Sequence, residues 1–182
     1  DKPEDYSEET MTKIAKKYSQ EADSINQSRT TNLTDNTVIM VLSETFSDPT
    51  RVPGVSFAED PMPNIRQIKS ETTSGLMLSP GYGGGTANIE YQALTGLSMA
   101  NYSDTLSIAY QQLVPGQKWD QSLNQLWNEK NGEDSSVAFH AYNRGMYFRD
   151  INYKKFGFSH FYATDGTPKL TDLHPIDSAW YS

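Results

Sequence analysis

Apolar positions along this chain fall alternately into helical and strand periods. In residues 1–30, Met11, Ile14, Ala15, Tyr18, Ala22 and Ile25 recur at helical spacing, with Glu8 and Glu9 at the end where the helix dipole favours acids. The spacing predicts an amphipathic helix over residues 7–26, a linker or packing element. Residues 36–42 form a continuous apolar run between polar flanks, the pattern of a strand buried on both faces. Residues 50–74 carry Pro53, Gly54, Pro61 and Pro63 and read as a loop with a short helix at 64–69. Residues 74–78 read as a second short strand. A helical pattern then starts at Thr86, with Ile89, Ala93, Leu94 and Leu97 on one face. Residues 109–118, which include Pro115 and Gly116, read as a loop. Residues 120–130 predict a helix with Leu123, Leu126 and Trp127 on one face and Gly132 as its stop. Strands are expected at 136–140 and 158–162, with a short helix at 150–156 between them. This alternation predicts an α/β fold with a largely parallel sheet.

Composition narrows the function more than the fold. The 182 residues suffice for one domain with a core, and 12% aromatic content fits a packed chain despite only 36% hydrophobic residues. A net charge of −8 argues against sequence-independent binding to nucleic acid, which needs clustered Lys and Arg. The chain has no cysteine, so disulfides and thiolate metal sites are excluded. No apolar run approaches the length of a membrane span. The absence of an initiator Met points to a piece of a longer protein.

The densest chemical signal is the glycine cluster of residues 81–85 running into Thr86. Glycines let the backbone approach a ligand closely, and a helix N-terminus favours an anion. Thr86 is expected at the N-cap, where a hydroxyl can bind a phosphate or attack it, or can simply cap the helix. The segment is neither a Walker loop, since no Lys follows the glycines, nor a dinucleotide-binding fingerprint. Glu44 follows the first predicted strand, where α/β folds place their sites and where an acid suits a hard metal or general-base work. A solvated surface Glu is the plainer alternative. Further on, His140 ends a predicted strand and is followed by Arg144, Tyr147, Phe148, Arg149 and Asp150. Arg suits bidentate phosphate contact, although Asp150 can equally pair with either arginine and His140 can be a hydrogen-bonded core residue. His160 and His174 have no comparable context.

Taken in order, Val41-Leu-Ser-Glu44-Thr-Phe46, Gly83-Gly-Gly-Thr86-Ala-Asn-Ile-Glu90-Tyr with Leu94-Thr-Gly96, and then His140 and Arg149 resemble the lipoteichoic acid synthase family. Its members are sulfatase-like phosphoglycerol transferases of the alkaline phosphatase superfamily, and the resemblance spans most of residues 36–165. It implies a three-layer sandwich around a largely parallel sheet. It implies Glu44 as ligand of a divalent metal, usually Mn²⁺ with Mg²⁺ possible, and Thr86 as both nucleophile and metal ligand. It also implies that His140 and Arg149 line the phosphoglycerol pocket, with Tyr147 where relatives often carry Trp. The expected reaction moves glycerol phosphate from phosphatidylglycerol, through a phospho-threonine, to a growing glycerophosphate polymer. The family setting is the extracellular face of a Gram-positive membrane, with anchoring segments outside this sequence.

One departure qualifies the resemblance. The family completes its metal site with an Asp-His pair, and Asp165, Asp172, His174 and Asp177 supply no such dipeptide. Residues 31–182 are therefore expected to be the N-terminal half of the catalytic domain, preceded by the 1–30 helix. On its own this half is expected to bind metal poorly and to be inactive, with the C-terminal half as its partner. A hydrolase on the same scaffold stays open as an alternative, as does a non-catalytic binding domain that has lost its metal.

Overall fold

The computed structural model of the chain describes residues 3–77, 79, 81 and 84–173. The chain divides into two compact units, Asp1–Ile39 and Met40–Ser182. The first is built on helix α1, Glu8–Asn26, whose N-cap Ser7 accepts a hydrogen bond from the Thr10 N–H at 3.1 Å. That boundary matches the one predicted. None of the helix's own residues is buried. Among the described residues, no helix is long and apolar enough to cross a membrane.

The second unit holds helices α2 (Pro63–Glu71), α3 (Thr86–Thr95), α4 (Ala109–Gln112), α5 (Asn124–Asn131) and α6 (Arg149–Lys155). Its strands β1 (Val137–Phe139) and β2 (His160–Tyr162) pair in parallel, with Val137 opposite His160 and Phe139 opposite Tyr162. The fold is thus mixed α/β with a small parallel sheet and surrounding helices, as expected. Helix α6 makes the crossover that a parallel pair requires.

Aromatic side chains dominate the core. Tyr91, Tyr110 and Phe156 are almost fully buried, and Tyr110 packs 5.6 Å from Phe156 while Tyr153 meets Phe161 at 4.7 Å, centroid to centroid. Each such ring removes a large apolar area from water, and the edge-to-face Tyr153–Phe161 pair adds about 0.5–1.5 kcal/mol of attraction.

Several predicted elements differ. Residues 36–42 form no strand; Ile39 and Val41 are 84% and 82% exposed. A run apolar on both faces becomes a strand only between neighbours that take up its N–H and C=O groups, and no described strand lies beside it. Residues 74–77 likewise form no strand, and Leu78 lies outside the described residues. Conversely, the predicted loop at 109–118 contains α4 and a 3-10 turn, Val114–Gly116, with Ala109, Tyr110 and Val114 buried. Side chains supply the missing caps. Gln112 Oε1 accepts from the N–H groups of Ser107 and Ile108 at 2.8 Å, and Lys155 Nζ donates to the carbonyls of Val114 and Pro115 at 3.1 and 2.6 Å. Helix α5 begins only at Asn124, because Ser122 and Leu123 are drawn into bonds with the Phe156 carbonyl (2.5 Å) and the Leu94 carbonyl (2.7 Å). Leu97, expected on the apolar face of α3, lies beyond its Gly96 cap and is exposed.

Candidate active site

Helix α3 starts one residue later than expected. Gly85 is its N-cap, at φ 104° in the left-handed region that a side chain would strain, and Thr86 is its first helical residue. Asn88 locks this end to the following segment, donating to the Ser107 carbonyl at 2.7 Å and accepting from the Ala109 N–H at 3.0 Å. The N–H groups that open the helix and the helix dipole make this end attractive to an anion.

Glu44 reaches that end from far away in sequence. It sits in a turn closed by the Phe46 N–H to the Ser43 carbonyl at 3.0 Å, and the Thr86 hydroxyl donates to Glu44 Oε2 at 2.9 Å. Gly81 leaves the room for this, since a Cβ there would stand 3.0 Å from Glu44 Oε1 and 2.9 Å from Ile89 Cδ1. Tyr82 and Gly83 of the glycine cluster lie outside the described residues. The two residues expected to bind metal are therefore adjacent. Both offer hard oxygen donors, a set that suits Mn²⁺ or Mg²⁺. Among the described residues, no group of three or more His, Cys, Asp or Glu sits close enough to hold a metal ion.

One turn along α3 from Thr86 stands Glu90, which anchors the second group. Arg149 Nε donates to Glu90 Oε2 at 2.9 Å and Nη2 to Glu90 Oε1 at 2.5 Å, while Nη1 donates to the Met146 carbonyl at 3.1 Å. Arg149 is 1% exposed. Tyr153 adds a third bond to Glu90, its hydroxyl donating to Oε2 at 2.9 Å. Burial first, then the Glu90 charge, raises the Tyr153 phenol far above its ordinary range, so it stays a donor. The Tyr147 ring lies 5.3 Å from the Arg149 guanidinium. Tyr147 and Phe148 both take left-handed backbone, at φ 56° and 57°. Such non-glycine residues cost about 1–3 kcal/mol each and cluster at functional sites.

His140 follows β1, its N–H bonded to the Tyr162 carbonyl at 2.9 Å. Its Nδ1 is buried with no hydrogen-bond partner among the described residues. Burial, and after it the Arg149 cation, lowers its pKa below the ordinary 6.5, so the ring is neutral at neutral pH.

The remaining candidates have local partners. Asp150 joins neither arginine in an ion pair; its Oδ1 accepts from the Ile151 N–H at 3.0 Å. Arg144 is spent on backbone, donating to the carbonyls of Asp165, Phe161 and Pro168 at 3.1, 3.0 and 2.7 Å. His160 is exposed and only 3.9 Å from Asp134. His174 and Asp177 lie outside the described residues. Sequence reasoning assigned Glu90 and Tyr153 no role. The available signal was the four-residue step from Thr86 to Glu90, which puts both on one helix face.

A family model for sulfatases matches residues 36–181. The chain belongs to the sulfatase family. Among solved structures it is similar to the Streptococcus pyogenes phosphoglycerol transferase GacH in complex with sn-glycerol-1-phosphate, at 40% identity and a TM-score of 0.83, over 93% of this chain and 43% of that one. Among curated proteins, a Rhizobium meliloti (strain 1021) protein named for cyclic beta-1,2-glucan modification is 38% identical over 134 residues, which is 73% of this chain and 19% of the relative. The chain thus spans less than half the length of either relative. The sulfatase-like membership and the likeness to a phosphoglycerol transferase, both expected from the motifs, are borne out.

Proposed function

We propose that this chain carries part of the active site of a metal-dependent phosphoglycerol transferase. The observation that carries the reading is the Thr86 hydroxyl bonded to Glu44 at 2.9 Å at the N-terminus of α3. Likeness to a transferase whose structure holds sn-glycerol-1-phosphate supports the donor chemistry. Glu44 and Thr86 would hold a divalent cation, Mn²⁺ or Mg²⁺, with further donors from outside the described residues. Such a cation, when bound, favours deprotonation of a coordinated oxygen and offsets charge on phosphoryl oxygens.

The chain's own groups do the rest. Thr86 is a weak nucleophile as a neutral hydroxyl, but its proton already points at a carboxylate. In the first step Thr86 Oγ1 attacks the phosphorus of phosphatidylglycerol. The bond from phosphorus to the diacylglycerol oxygen breaks, and that oxygen takes up a proton in place of the one Thr86 releases. In the second step an acceptor hydroxyl attacks the glycerophospho-threonine and gives up its proton, and Thr86 leaves and takes one up, so no net proton is gained or lost. Backbone N–H groups at the start of α3 face the developing charge. Neutral His140 and the Tyr147 ring line the headgroup side. The acceptor in this reading is a glycerophosphate polymer at the outer face of a bacterial membrane. The name of the Rhizobium meliloti relative favours a second reading in which the acceptor is a glycan hydroxyl.

The test is Mn²⁺-dependent release of diacylglycerol from fluorescent phosphatidylglycerol by the full-length protein. Release that disappears in Thr86→Ala is expected. Release that persists in Thr86→Ala, or none from metal-loaded wild type, contradicts the reading.

A further inference from the structure

Between β1 and the start of α6 the chain holds four large apolar side chains in water. Tyr142, Met146, Phe148 and Ile151 are 41–55% exposed. The run at 36–42 exposes apolar side chains on a backbone with no strand beside it. This connection is different, because its backbone is already bonded. The Met146 N–H donates to the Asn143 carbonyl at 3.2 Å, the Phe148 N–H to the Gly145 carbonyl at 2.9 Å and the Asp150 N–H to the Arg144 carbonyl at 3.1 Å. Asn143 Oδ1 takes the Gly145 N–H at 2.9 Å. A closed turn that still presents apolar side chains to water is a surface suited to an apolar ligand.

That surface adjoins the headgroup side. Its residues are interleaved with His140 and Tyr147, and the His140 ring meets Tyr142 edge to face, 6.5 Å between centroids. Met146 and Phe148 flank Tyr147 directly, and Ile151 stands three residues on, in the first turn of α6. Phe148 is held there under strain, a non-glycine residue in left-handed backbone whose ring stays half-exposed. Gly or Asn would take that conformation more easily, so packing does not account for an aromatic ring at this place.

The donor's chemistry does. In the transferase reading the leaving group is diacylglycerol, joined to the attacked phosphorus through one oxygen. With the headgroup against His140 and Tyr147, two acyl chains emerge a few bonds away and favour apolar surface over water. Arg144 and Arg149 are both bonded inward, so this surface offers apolar contact instead of charge.

We propose that Tyr142, Met146, Phe148 and Ile151 form the contact surface for the acyl chains of the lipid donor, at the rim of the headgroup side. The proposal rests on the transferase reading for the identity of the donor. It gives the strained Phe148 a role that headgroup binding does not require.

The experiment uses the full-length protein with Phe148→Asn, whose side chain tolerates left-handed backbone, Ile151→Ser, and the double variant. KM and kcat are measured on long-chain phosphatidylglycerol, sn-glycerol-1-phosphate binding by calorimetry, and stability by urea unfolding. A separate variant, Phe148→Trp, is titrated with phosphatidylglycerol or phosphatidylcholine brominated on the acyl chains. The double variant should raise KM by roughly tenfold or more, with kcat and sn-glycerol-1-phosphate binding unchanged and the urea midpoint no lower. Each single variant should show a smaller rise in KM. The added fluorescence of Phe148→Trp should be quenched by the brominated phosphatidylglycerol and much less by the brominated phosphatidylcholine. An unchanged KM, or an equal loss of sn-glycerol-1-phosphate binding, would overturn the proposal. A lower urea midpoint in the double variant would put these side chains against the rest of the protein and overturn it too. Equal quenching by the two lipids would overturn the assignment to the donor. A wild type that binds Mn²⁺ but neither binds glycerol phosphate nor releases diacylglycerol overturns the transferase reading instead, and the quenching comparison then decides the lipid contact alone.

Discussion

Gly81 leaves the Glu44 carboxylate no slack. A methyl group there would crowd Glu44 Oε1 at 3.0 Å and Ile89 Cδ1 at 2.9 Å, and Ile89 is held in the buried face of α3. The carboxylate must give way. Gly81→Ala is therefore expected to lower Mn²⁺ affinity in the full-length protein by roughly tenfold or more, the scale of a disturbed metal-site geometry. An unchanged titration would show that Glu44 does not depend on this contact. His140 makes a different prediction. Burial and the Arg149 cation hold its pKa below 6.5, so the unfolded chain binds a proton that the folded chain refuses. Neutral His140 costs nothing above that ordinary value, and stability falls as pH drops from 6.5 towards the lowered folded value. Urea unfolding near pH 7.5 and near pH 5.5 should show a larger loss in wild type than in His140→Gln. Equal losses would contradict the assignment. At this scale the sequence singled out Thr86 by the glycine cluster before it and Glu44 by its place after the 36–42 run, and the structure brings the two within 2.9 Å. Glu90 was not legible, since nothing local says that a helical Glu will meet an Arg brought in by α6.

Among the elements, the turn leading into α6 departs most from local preference. Phe148 is its N-cap in left-handed conformation, and its side chain is 43% exposed. Phe148→Gly should remove the strain at little packing cost and stabilise the protein by about 1 kcal/mol, seen as a higher urea midpoint. A lower midpoint would mean that the ring's packing outweighs the strain. Tyr147 should behave oppositely, because its ring rests on the Arg149 guanidinium. Helices α1 and α3 were legible from apolar spacing. Helix α4 was not, because it is a single turn whose entry is held by its own Gln112 side chain and whose following 3-10 turn is held by the remote Lys155. The run at 36–42 carries strand composition without strand structure, since pairing is supplied by neighbours and not by the run itself.

For the molecule as a whole, the α/β class followed from alternating periods, while the tyrosine-rich core did not, since Tyr91, Tyr110 and Tyr153 are amphipathic residues whose burial depends on remote partners. The proposed reaction requires Thr86 to become covalently attached to glycerol phosphate during turnover. It is tested most directly by quenching the full-length protein in acid after brief exposure to phosphatidylglycerol and Mn²⁺, then mapping peptides by mass spectrometry. A glycerophosphate adduct on Thr86, absent when Mn²⁺ is omitted and in Glu44→Gln, is the result predicted. Diacylglycerol release with no adduct on Thr86 at any quench time, or an adduct on another residue, would contradict it.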